Sequence, residues 1–130
     1  MRYHDFHLRG YTVSDFGGTI VLHLVYDYPG QPEERSDIEF SDVICHHFIH
    51  GSSAIIVGID EESIAEFVRE EEQFLSGVAT KHGLNYWHTD ASEYAKTLER
   101  EGFHVWRFAS AIGFAGFVMA RDVRQLESKL

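Results

Sequence analysis

The chain has 130 residues and a mass of 14.9 kDa, with 11 Lys+Arg against 21 Asp+Glu, a formal net charge of −10 with its histidines neutral, and a pI near 5.2. That length suits a single domain over 1–130, able to bury roughly two-thirds of its unfolded surface without a disulfide or a metal. With 44% hydrophobic and 25% charged residues the chain is globular rather than disordered, and its acidity argues against nucleic acid, whose phosphates need a basic footprint.

Residues 3 to 14 carry aromatic and β-branched types and predict a first strand, closed by Asp15-Phe16-Gly17-Gly18. In Thr19–Tyr28, Ile20, Leu22, Leu24 and Tyr26 share one phase, so a β-hairpin is expected around the two glycines. A polar loop with both prolines follows, then a third strand over about 37–50. Its apolar phase changes from Ile38 and Phe40 to Val43, Cys45 and Ile49, as a β-bulge near Ser41-Asp42 would cause. Gly51-Ser52-Ser53 predicts a turn and Ala54–Ile59 a fourth strand.

At Asp60 the period changes. Ile64, Phe67, Val68, Phe74, Leu75 and Val78 predict one amphipathic helix over about 61–82, with Gly77 the expected place for a break. Asp60 or Ser63 would cap it, Glu61 and Glu62 would suit its positive end, and Gly83 would terminate it. Asp90-Ala91-Ser92-Glu93 has the spacing of a capping box, so a second helix should run to about Glu101 and stop at Gly102. Two strands then flank a turn at Ala111-Ile112-Gly113, and Val123, Leu126 and Leu130 have the spacing of a short C-terminal helix. The expected fold is α+β: about six antiparallel strands packed against two helices, in the order ββββααββ plus a tail helix. The Ile20, Leu22, Leu24, Tyr26 face is expected to lie beneath the first helix.

No signal-peptide core opens the chain, and the longest uncharged apolar run, 111–120, is about half the roughly 20 residues of a membrane span. Cys45 is the single cysteine, so no intrachain disulfide is available. A cytoplasmic location with no membrane association is the expectation.

Nine histidines are the unusual count. His46, His47 and His50, or His4, Asp5 and His7, are candidate metal ligands by residue type. Strand geometry opposes both sets, since His46 and His47 point to opposite faces. Cys45 reads as a buried structural thiol, and no serine lies in a nucleophile elbow. The strongest local signal is acidic: Asp60 to Glu72 holds seven carboxylates against Arg69 alone. Glu62, Glu66 and Glu70 recur at helical neighbour spacing, a face that is either simply solvated or steers a basic partner.

His4-Asp5-Phe6-His7-Leu8, the segment Ile38-Glu39-Phe40-Ser41-Asp42-Val43, and the closing hairpin from Arg107-Phe108-Ala109-Ser110 to Phe117-Val118 carry a resemblance. In these segments the chain resembles a broad group of small bacterial proteins of unknown function, some of which are immunity proteins to toxins. The resemblance implies a compact, acidic, non-enzymatic α+β domain and brings no catalytic residue with it. The leading expectation is therefore a binding protein without a cofactor, of the immunity type, whose partner is basic and is contacted by Glu62, Glu66 and Glu70. The alternative is a small-molecule or metal-dependent enzyme that uses the clustered histidines.

Overall fold

The computed structural model describes residues 5–50, 56–110 and 113–127. Six strands form one antiparallel sheet: β1 (His7–Ser14), β2 (Thr19–Tyr26), β3 (Glu34–His50), β4 (Ile56–Glu62), β5 (His104–Ser110) and β6 (Phe114–Glu127). Their spatial order is β1-β2-β3-β6-β5-β4, so the β5–β6 hairpin lies between β3 and β4. Three helices, α1 (Ile64–Glu70), α2 (Glu72–His82) and α3 (Ala91–Arg100), connect β4 to β5. The α+β class and the six antiparallel strands agree with the sequence reading; two helices and a helical tail do not.

The tail is strand because it has a strand to complete. Val123 pairs with Phe40 and Leu126 with Asp37, so the end of β6 covers an edge that β3 would otherwise leave open. Leu130, the Gly51-Ser52-Ser53 turn, Ala54, and Ala111-Ile112 lie outside the described residues. The fourth strand runs on to Glu62, which takes Asp60, Glu61 and Glu62 out of the helix. Ser63 is the cap, its hydroxyl accepting the Glu66 N–H at 3.3 Å.

The predicted single helix breaks at Glu71 (φ −103°, ψ 17°) rather than at Gly77, which sits inside α2 with open space around it. Phe67 and Val68 of α1 and Leu75 of α2 still reach one cluster across the break. The third helix keeps the expected cap and stop: Asp90 accepts the N–H groups of Ser92 and Glu93, and Gly102 follows its end with a left-handed φ of +85°. The reciprocal half of the capping box is replaced, the Asp90 N–H donating to His88 Nδ1 at 3.0 Å.

The sheet folds across itself. Leu22 pairs with Ile38 and with Tyr11, yet the Tyr11 ring lies 4.9 Å from that of Phe48. Phe48 is ten residues beyond Ile38, about 33 Å along a straight strand. Phe40 likewise meets Trp106 at 5.3 Å although β6 separates their strands. The corner begins where the bulge is expected, but the slip comes later: Asp42 takes φ +51°, the register with β6 holds through Val43 and shifts between Val43 and Cys45, and the Val43 N–H donates to the Gly18 carbonyl at 3.0 Å.

Two cores result. Ile20, Leu22, Leu24, Ile38, Phe40, Ile59, Trp106 and Phe108 fill the inside of the fold and meet no helix. The helices instead cover the opposite face of β5, β6 and the second half of β3, where Phe67, Leu75, Tyr94 and Leu98 pack on Val105, Phe117 and Met119. The β2 face therefore lies beneath other strands, not beneath the first helix. Identical alternation serves either kind of cover, which is why the pattern alone misplaced it.

Candidate functional site

β5 projects Arg107 from the sheet toward the start of the helical layer. Its Nε donates to Glu62 at 2.7 Å, Nη1 to Glu71 at 3.3 Å and Nη2 to Glu70 at 3.5 Å. The guanidinium also lies 5.1 Å above the Phe67 ring. Burial by itself would lower the Arg107 pKa, but the hydrogen bonds and charges of Glu62 and then Glu71 outweigh it and raise the value. Glu62 and Glu71 are half-buried, whereas the Glu70 side chain is 61% exposed.

Three carboxylates thus meet one cation, and the group stays net negative. Of the three predicted contact residues, the structure brings Glu62 and Glu70 together on Arg107, with Glu62 on β4 rather than on the helix. Glu66 stands exposed on α1 with no ion pair among the described residues. Beside them a cleft of about 500 Å³ is walled by Glu70, Glu72, Gln73, Trp87 and Arg69. Carboxylates beside a tryptophan suit a cationic side chain, a place that Arg69 shares on the same wall.

The histidines do not assemble. His46 and His50 lie opposite Val118 and Phe114 on the inner face, and His47 lies opposite Phe117 on the helix side, 4.7 Å from the Phe74 ring. His50 Nε2 and the Tyr11 hydroxyl are 2.7 Å apart. The His7 ring lies 5.4 Å from that of Tyr28 in a tilted arrangement, and His4 lies outside the described residues. Among the described residues no three His, Cys, Asp or Glu side chains are placed to hold a metal ion. Burial, and then His47, lowers the His46 pKa. Burial also pushes the Cys45 thiol up to about 11, an unreactive protonated state at neutral pH.

One arrangement was not visible in the sequence. His23 sits between Thr12 Oγ1, 2.9 Å from its Nε2, and Asp37 Oδ1, 3.1 Å from its Nδ1. The order hydroxyl, imidazole, carboxylate is that of a nucleophile relay. These side chains lie across three neighbouring strands with Thr12 exposed, and acyl chemistry there would also need oxyanion donors and shelter from water. The relay fastens three strands together.

No protein family, curated protein or solved structure matches this chain. Function therefore has to be argued from its own residues. Among the described residues, no helix is long and apolar enough to cross a membrane.

The other conspicuous feature is the β1–β2 turn. Asp15, Phe16 and Gly17 take left-handed φ values of 54°, 56° and 92° in succession, and the Phe16 side chain is fully exposed. The sequence predicts the turn, but nothing in its pattern marks the aromatic at its tip.

Proposed function

We propose that this chain is a non-enzymatic binding protein that receives a basic protein partner on the outer face of its helical layer. The carrying observation is the imbalance at Arg107, where Glu62, Glu70 and Glu71 share a single guanidinium. Glu70 holds its place by the longest of those contacts and is the most exposed, so a partner's lysine or arginine can take it at little cost. Glu66 and Glu72, both exposed, extend the negative field, and the Trp87 cleft offers a seat for a cationic side chain. An immunity-type role, masking a basic toxin inside the cytoplasm, is the narrower form of this reading and rests on the sequence resemblance.

The test is kinetic. Partner obtained by co-purification should associate more slowly with a Glu66→Lys/Glu70→Lys double variant, and with a weaker dependence on salt. Glu62 is left intact in that design, because reversing it would break the contact with Arg107 that ties β4 to β5. An association rate unchanged at low salt would remove the helical face from the account.

A further inference from the structure

The β1–β2 turn presents an aromatic ring on a backbone that ordinarily favours glycine. Phe16 has φ 56° and ψ 34°, directly after Asp15 at φ 54°. An L-residue in this region is crowded by its own Cβ, and glycine in the same place would not be. The turn is nevertheless fixed on both sides. Thr19 Oγ1 donates to the Asp15 carboxylate at 2.9 Å, the Gly18 N–H donates to the Asp15 carbonyl at 3.0 Å, and the Val43 N–H donates to the Gly18 carbonyl at 3.0 Å. The ring itself has a relative exposure of 112%, so it adds nothing to either core. Strain retained at a large, wholly exposed apolar group points outward, to something that covers the ring.

We infer that Phe16 is an apolar anchor that inserts into a pocket of a protein partner, the pocket being rimmed by basic side chains. Asp15 and Asp42 flank the tip and are exposed, and Asp122 pairs in register with Ser41, itself the partner of Thr19 at the base of the turn. The neighbouring arginines are already occupied, Arg124 by Glu39 at 2.7 Å and Arg121 by the Glu101 carbonyl at 2.9 Å. An exposed aromatic with aspartates on its own turn and on the adjoining strands fits an apolar pocket with a cationic border. The same carboxylates, on a chain of net charge −10, disfavour an anionic lipid surface. The inference rests on the reading of this protein as a binder of a basic partner, and it adds an apolar contact on the β1–β2 turn to the acids of the helical layer.

Benzoylphenylalanine placed at position 16, with position 31 as the control, should photo-crosslink to one discrete protein in the source cells. That protein, purified, is then titrated against four forms of the full chain: wild type, Phe16→Ala, Phe16→Trp and Glu66→Lys. Phe16→Ala should weaken binding by about 30-fold or more, mainly through faster dissociation, while Phe16→Trp stays within about threefold. No adduct specific to position 16, or equal affinity for Phe16→Ala, overturns the anchor. So does Phe16-dependent sedimentation with vesicles of phosphatidylcholine and phosphatidylserine, which would make the occupant a membrane. If Glu66→Lys slows association and Phe16→Ala changes nothing, the anchor fails and the helical reading stands. The reverse pattern removes the helical reading and keeps the anchor.

Discussion

At Arg107 the chain supplies every neighbour that the side chain needs: three carboxylates for the guanidinium and the Phe67 ring beneath it. At Phe16 the chain supplies a rigid, crowded turn and leaves the ring in water. Both positions tie up costly groups, but only the first recovers that cost within the fold. The difference separates two kinds of evidence. A satisfied cluster speaks first for stability and becomes functional only through its surplus charge, whereas an unsatisfied group on a strained backbone speaks for a partner.

The largest expected effect lies under Arg107. Phe67 is fully buried between α1 and β6, 4.7 Å from Phe117. Phe67→Ala should cost about 3–5 kcal/mol by denaturant unfolding; a loss below about 1 kcal/mol would place the helix packing elsewhere. Arg107→Ala should cost about 2 kcal/mol, between the values for exposed and buried pairs, because Glu62 and Glu71 would be left half-buried without a cation. Replacing Glu62 with Gln in the same variant should recover part of the loss, and absence of recovery would mean that Arg107 acts only by packing over Phe67.

A smaller effect comes from His46. Its folded pKa lies below the ordinary 6.5, through burial first and His47 second. The unfolded chain therefore takes up that proton at higher pH than the folded chain does. The stability His46 contributes is whole above about pH 6.5 and is lost as the pH falls through the lowered folded value. His46→Gln should flatten this part of a stability–pH profile measured from pH 8 to 5, and an unchanged slope would assign the acid sensitivity to other groups.

What could be read in the sequence was local. The Asp90 cap, the Gly102 stop and a bulge in the middle of β3 each depend on a few adjacent residues; the cap and stop are present where expected, and the bulge falls just past Asp42, between Val43 and Cys45. What could not be read depends on contacts far along the chain. Val123 and Leu126 have helical spacing, but pairing with Phe40 and Asp37 draws them into a strand. Ile20, Leu22 and Leu24 alternate correctly, yet which layer covers them is decided by the fold at the β3 corner. The site divides in the same way: the acidic run was evident, whereas the convergence of Glu62 on Arg107, 45 residues later, was not. Phe16 looks like an ordinary turn residue in sequence, and only its left-handed backbone and bare ring set it apart.

Thermal unfolding of Phe16→Gly beside the wild type, with no partner present, tests most directly whether the chain gains anything from that ring. Glycine relieves the left-handed crowding and removes no buried contact, so the variant should be more stable by about 1 kcal/mol, less what glycine adds to unfolded-chain entropy. For a domain of this size the midpoint should rise by about 3–5 °C at most. A midpoint lowered by a similar amount would mean that the Phe16 ring supports the fold, and would contradict its assignment to a partner.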